Sequence, residues 1–399
     1  MEKVKEIEKL GIIGRGTIVD HGGEKYTFYK NDIDLIEKLS LIFNKINYAP
    51  FWIDSESKKF DVAKSEVTEE LKRKNITIFK LKISDRSLFE QRLSQLKSIK
   101  YIKRFLKEVD FVLIFWPSAI AFYTYVICKI KRKKFAVYKG GSFKSSNVIN
   151  VGFKSGFLRN IFANVIENFV QKNSPVVFVR GGEKYPSSCY VRGNSLFNVN
   201  DVYKREDSCN SVKIRILNVS SLLPVKNVDV IIRALKVLRD KKYNVFFYHA
   251  GVFDRENHSK MEELIKNLNL EKYIEFFGHI DDLGKIKQLY KDSDIFVLSS
   301  KMEGFPRVIV EAMSQSMPVI TTRVGGIKEI FKNNDTALFF NPGGYLELAE
   351  KIERVIKDRN LRKKLIRNGC DFAEKELSLP NPEMIIAKKI KQEYNRNIR

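Results

Sequence analysis

Apolar and polar positions alternate in blocks through the second half of the chain. The apolar-rich runs KIRILNV (213–219), NVFFYHAG (244–251), IEFFG (274–278), DIFVLSS (294–300), PVITT (318–322) and ALFF (337–340) read as strands. Between them NVDVIIRALKVLR (227–239) and the stretches near 258–268, 283–291, 307–315 and from 327 carry apolar residues at helical spacing. Short strands buried on both faces and separated by helices specify a parallel, doubly wound sheet. The first half is less regular, yet LGIIGRG (10–16), ITIFKL (76–81), FVLIFW (111–116), KFAVYKGG (134–141) and SPVVFVRGG (174–182) predict a second parallel sheet. The polar run KREDSCNS (204–211) loses periodicity and marks a linker. The expected organisation is therefore an α/β domain over 1–205, a second over 206–375, and a helical tail over 376–399 that crosses back to the first. Sheets of this kind bind ligands beyond their strand ends, which predicts a central cleft faced by both domains.

Two segments raise the question of a membrane. FVLIFWPSAIAFYTYVIC (111–128) holds 18 uncharged residues, the lower limit for a spanning helix. Pro117 and Ser118 near its middle favour a buried strand that turns into an apolar helix. In SLFEQRLSQLKSIKYIKRFLKE (87–108), Leu88, Phe89, Leu93, Leu96, Ile99, Ile102, Phe105 and Leu106 recur at helical spacing among basic residues. That pattern fits a helix lying on an anionic membrane surface and equally an outer helix packed on its sheet.

At 399 residues, 44% hydrophobic and 30% charged, the chain has too much apolar content for disorder. Its four cysteines form no Cys-x-x-Cys pair and accompany only four histidines, which argues against a disulfide scaffold and a structural zinc site and fits a reducing cytoplasm. The first 16 residues carry charge throughout and predict no signal peptide. Lys and Arg outnumber Asp and Glu by 72 to 48, and the excess is uneven: +16 over residues 1–200, +1 over 201–350 and +7 over 351–399. One half is thus expected to face polyanions. Nucleic acid is disfavoured, because the charge avoids the half with the clearest ligand site and no basic motif interleaves with aromatics.

The chemistry concentrates in SSKMEGFPRVIVEAMSQSMPVITTRVGGIKEI (299–330). Glu303 and Glu311 are separated by seven residues, with Gly304, Phe305 and Pro306 forming a turn into a helix. This places Glu303 before the helix and Glu311 about one and a half turns inside it. The first amides of that helix, at Arg307 and Val308, form an anion site strengthened by the helix dipole.

With this pair, the strand-end Gly251, the FFGHIDD loop and the double glycine Gly325-Gly326 in that order, residues 213–375 resemble glycosyltransferase family 4. The resemblance implies the GT-B architecture, two Rossmann-like domains facing a cleft, and a retaining enzyme that uses a nucleotide diphosphate sugar. It assigns Glu303 to the donor sugar, Glu311 to the ribose hydroxyls, and Lys226 in SSLLPVKNVDV to the diphosphate, with Glu303 and Lys226 at the reacting centre. Ile280 falls where backbone groups meet the base, and Gly251, Gly304, Phe305, Arg307 and Val308 line the donor site. Ser221, which belongs to the same donor-binding set, stands where the family has arginine and offers only a hydrogen bond, and Ser316 stands where the family commonly has glycine. In the N-terminal half the resemblance is weaker. It places His21, Gly22 and Gly23 in a loop reaching the cleft, and Lys139 near the position of a family histidine on the acceptor side. The implied function is transfer of a UDP- or GDP-linked sugar to a glycan or lipid-linked acceptor in envelope polysaccharide, lipopolysaccharide or glycolipid synthesis, on the inner face of the plasma membrane. No cofactor and no obligatory metal are expected. A GT-B epimerase or phosphorylase is the alternative, although no lysine context for pyridoxal phosphate is evident.

Overall fold

The computed structural model describes residues 6–20, 26–53, 67–69, 74–79, 99–116, 118–139, 165–179, 187–191, 195–253 and 255–396. The chain divides into two compact units, residues 1–191 with 381–399 and residues 192–380.

In the first unit the strands are β1 (Lys9–Asp20), β2 (Tyr26–Tyr29), β3 (Lys45–Ile53), β4 (Val67–Glu69), β5 (Ile76–Ile78), β6 (Phe111–Trp116), β7 (Phe135–Lys139), β8 (Val177–Val179) and β9 (Ser188–Tyr190). Parallel pairing gives the order β5-β3-β1-β6-β7-β8-β9, and the end of β1 also carries β2 antiparallel, with β4 beyond it. Successive residues of β6 point to opposite faces, and both faces are covered. Phe111, Leu113 and Phe115 join a core with Leu10, Ile12, Ile386 and Ile390, the last two from the helix Pro382–Asn395. Val112, Ile114 and Trp116 join the other core, with Ile120, Tyr125 and Cys128 of the helix Ala119–Ile130. This explains the long apolar run at 111–128: it is a buried strand followed by a helix capped by Ser118, whose hydroxyl accepts from the Ala121 amide at 3.0 Å. Among the described residues no helix is long and apolar enough to cross a membrane.

The helix over residues 99–107 settles part of the second membrane candidate. Ile102, Phe105 and Leu106 are buried in the same core as Trp116, while Lys100, Lys103, Arg104 and Lys107 face solvent. Its apolar stripe is therefore occupied by protein. Residues 87–98 lie outside the described residues, as do His21, Gly22 and Gly23.

The second unit contains β10 (Ile214–Val219), β11 (Val245–Ala250), β12 (Ile274–Phe276), β13 (Ile295–Leu298), β14 (Val319–Thr322) and β15 (Leu338–Phe340), all parallel in the order β12-β11-β10-β13-β14-β15. The boundary differs from the expected one. Residues 195–211 are bound into this unit, because their polar groups find buried partners there. Arg205 donates to the carbonyls of Ser316, Lys291 and Ser293 at 3.1, 3.2 and 2.7 Å. Asp207 pairs with Arg362 at 2.7 Å, and the Cys209 amide donates to Asp294 at 3.0 Å. Ser316 sits at φ +54°, the left-handed region that glycine enters most easily, and its hydroxyl donates to the Tyr203 carbonyl at 2.8 Å. The serine thus keeps the strained turn and uses it to hold the incoming chain. All four cysteines are free thiols.

Candidate active site

In the second unit the strand order reverses between β10 and β13, so their carboxyl ends open the crevice where such sheets bind ligands. The loop after β10 carries Ser221 and Lys226, and the loop after β13 carries Glu303. Lys226 Nζ lies 2.6 Å from Glu303 Oε1, and the Ser300 hydroxyl donates to the same oxygen at 2.7 Å. Two further bonds tie the loops together: Ser299 Oγ to the Lys226 carbonyl at 2.9 Å, and the Lys301 amide to the Val225 carbonyl at 2.8 Å. The lysine and glutamate expected from 77 residues apart in sequence therefore meet as a partly buried ion pair.

Glycine makes this approach possible. A Cβ on Gly325, at φ +48°, would lie 1.9 Å from the Glu303 carbonyl oxygen, and one on Gly326 would lie 2.3 Å from that of Gly304. On the other loop, a Cβ on Gly251 would lie 1.9 Å from the Ser220 carbonyl oxygen. The double glycine and the strand-end glycine are supports for the two site loops. Gly304 itself has open space beside it, and Phe305 packs partly against the core.

The helix Arg307–Ser314 follows. Pro306 stands at its N-cap, one position earlier than a first helical residue, and has no side chain to cap it. The helix dipole thus opens at Arg307 and Val308 beside the Lys226–Glu303 pair.

Glu311 is bonded from within its own unit. It is only 2% exposed, and its carboxylate is enclosed by three donors: Ser195 Oγ at 3.2 Å and the Leu196 amide at 3.0 Å on Oε1, and Tyr290 OH at 3.2 Å on Oε2. Burial, followed by the charge of Glu311, drives the Tyr290 phenol well above its usual pKa of 10.0, so it remains a donor. Neither Ser195 nor Tyr290 carries a local sequence signal, because Tyr290 reads as part of an apolar helical stripe. Ser300 was visible only as the third residue before Glu303.

Ile280 is partly buried and lines a groove of about 880 Å³ together with Tyr248, Phe277, Lys285 and Leu289. His279 is exposed and pairs with Asp281 at 3.0 Å, as a loop histidine would. In the first unit, Lys139 ends β7 and is buried against Glu167 at 2.8 Å, so its charge is met within its own unit. Among the described residues no three His, Cys, Asp or Glu side chains gather as metal ligands.

His249 was not singled out by sequence. It is fully buried on β11 beside the Phe276 ring, and burial lowers its pKa from 6.5 to about 4, with the Ser220 backbone opposing the shift. The folded state therefore holds it neutral where the unfolded chain takes up a proton. Its contribution is whole above pH 6.5 and is lost as pH falls towards about 4. The expected loss across that window is up to about 3 kcal/mol. Denaturant unfolding of His249→Gln should show a flatter decline of stability between those pH values than the wild type; parallel curves would refute the assignment.

Comparison with known proteins adds to this geometry. Residues 201–371 match the family model for glycosyl transferases, group 1. The matched group 1 region holds Lys226, Glu303 and Glu311 and lies wholly within the second unit. The capsular polysaccharide biosynthesis glycosyltransferase CapM of Staphylococcus aureus is 28% identical over 177 residues, 44% of each chain. An uncharacterised glycosyltransferase of Methanocaldococcus jannaschii is 33% identical over 159 residues, 40% of this chain and 43% of the relative. The alignments thus span less than half the length of these two relatives. Solved structures extend the likeness to both units. Sucrose-phosphate synthase of Thermosynechococcus elongatus has a TM-score of 0.63 at 16% identity, covering 98% of both chains. Anabaena HepE, solved in complex with UDP and glucose, has a TM-score of 0.60 at 18% identity, covering 96% of this chain and 98% of its own. The fold of the two units is that of the GT-B glycosyltransferases.

Proposed function

We propose that this protein is a retaining glycosyltransferase that moves a sugar from a UDP- or GDP-sugar to a hydroxyl of a glycan or lipid-linked acceptor. The observation that carries the reading is the Lys226–Glu303 pair, 2.6 Å apart at the strand crossover and beside a helix N-terminus with no side-chain cap. Cleaving the bond between sugar and diphosphate builds negative charge on the leaving group. Lys226 and the amides of Arg307 and Val308 are the groups to stabilise it. As Lys226 turns to the diphosphate, Glu303 loses its cation, keeps the Ser300 hydroxyl, and can accept from a sugar hydroxyl. Front-face attack, with the leaving phosphate taking the acceptor proton, accounts for retention without a protein nucleophile. The relatives support the substrate class: one is named for capsular polysaccharide biosynthesis, and a solved neighbour holds UDP. No obligatory metal or cofactor enters this scheme. Incubation with UDP- and GDP-sugars and a panel of saccharide and lipid acceptors should release the nucleotide only when an acceptor is present. Interconversion of the sugars with little nucleotide release would establish the epimerase reading instead.

Attachment to an anionic membrane surface, where such acceptors reside, is proposed to be electrostatic. Lys100, Lys103, Arg104 and Lys107 are exposed while the apolar stripe beneath them is packed. Each basic residue near such a surface contributes about 1 kcal/mol. Sedimentation should show binding to anionic vesicles at low salt that disappears at high salt. Equal binding to neutral vesicles, or none to either, would contradict it.

A further inference from the structure

We propose that Tyr290 and Ser195 are positioning residues of the donor's ribose subsite, holding the Glu311 carboxylate so that one lone pair faces the ribose. The inference rests on the reading of Glu311 as the ribose contact. A carboxylate offers about four acceptor positions. In this protein three are filled from within: two on Oε1, by Ser195 Oγ at 3.2 Å and the Leu196 amide at 3.0 Å, and one on Oε2, by Tyr290 OH at 3.2 Å.

The direction of each bond is determined. Ser195 Oγ accepts from the Phe197 amide at 3.1 Å, so its single proton is directed to Glu311. Tyr290 cannot rotate away. Its ring is fully buried, edge-on to Phe197 at 5.5 Å and stacked with Phe296 at 6.0 Å. The carboxylate is thereby clamped from both ends, one donor set coming from the segment that opens the second unit and the other from the helix Leu283–Lys291. Among the described residues Tyr290 is the one side chain bonded to Oε2, which leaves that oxygen a further acceptor position in this reading. A ribose hydroxyl is the donor that the proposed function brings there, and preorganising the acceptor in this way lowers the cost of binding it.

The test compares the wild type with Tyr290→Phe, Ser195→Ala and Ser195→Thr by calorimetry. The probes are whichever of UDP and GDP the wild type holds, with its 2′-deoxy and 3′-deoxy forms. Tyr290→Phe and Ser195→Ala should each weaken the nucleotide about fivefold, the size of one hydrogen bond, and leave unchanged the deoxy form lacking the hydroxyl that meets Glu311. Ser195→Thr, which keeps the hydroxyl, should bind like the wild type. Equal losses for all three ligands, or no loss in either variant, would overturn the positioning role and leave Tyr290 and Ser195 as packing residues. A wild type indifferent to both hydroxyls would overturn the ribose reading of Glu311 itself.

Discussion

Lys226→Ala is expected to lower turnover by roughly 10²–10³-fold, the usual cost of removing one group that meets charge developing in a transition state. On the proposed reading Lys226 carries most of the cationic role beside the diphosphate, because the neutral Ser221 stands where the resemblance to family 4 puts an arginine. The variant also leaves Glu303 without its partner at 2.6 Å, but Ser300 still donates to that carboxylate, so the loop is expected to hold. The effect should be selective. Affinity for UDP or GDP should fall well beyond any loss for the free nucleoside, and Lys226→Arg should recover part of it. Equal losses for diphosphate and nucleoside would show that the lysine acts on the loop and not on the phosphates.

Glu311→Ala should destabilise the protein as well as weaken donor binding. The substitution strands the fully buried Tyr290 hydroxyl together with the Leu196 amide and the Ser195 hydroxyl. A loss of about 2–4 kcal/mol is expected, most of it from the buried phenol. Glu311→Gln keeps one carbonyl acceptor and should lose less. Denaturant unfolding of the full chain decides it: an alanine variant within about 0.5 kcal/mol of the wild type would show that the three bonds to Glu311 do not hold the fold.

These two residues mark how far the sequence could be read. Glu303 and Glu311 were legible from their seven-residue spacing around the Gly304-Phe305-Pro306 turn, and Lys226 only through the resemblance to family 4; the strands that carry these loops announce themselves as unbroken apolar runs such as IFVL before Ser299. All six strands of the second unit were visible for the same reason. The surroundings of Glu311 were not. Its partners come from 21, 115 and 116 positions away, and nothing in the local pattern separates a tyrosine whose hydroxyl is needed from one that only fills space. The misplaced boundary has a similar cause. Arg205 and Asp207 look like solvated linker charges, yet each is met inside the second unit, and composition does not distinguish a charge in water from one paired in protein. The basic amphipathic stripe over 99–107 repeats the lesson, because an apolar face meant for lipid and one meant for a sheet share one spacing.

The most direct measurement is a crystal structure of the protein with UDP or GDP bound. The diphosphate is expected against Lys226 and the amides of Arg307 and Val308, with Lys226 drawn away from Glu303 and a ribose hydroxyl on Glu311 Oε2. A nucleotide seated elsewhere, with the Lys226–Glu303 pair still closed at 2.6 Å, would contradict the account.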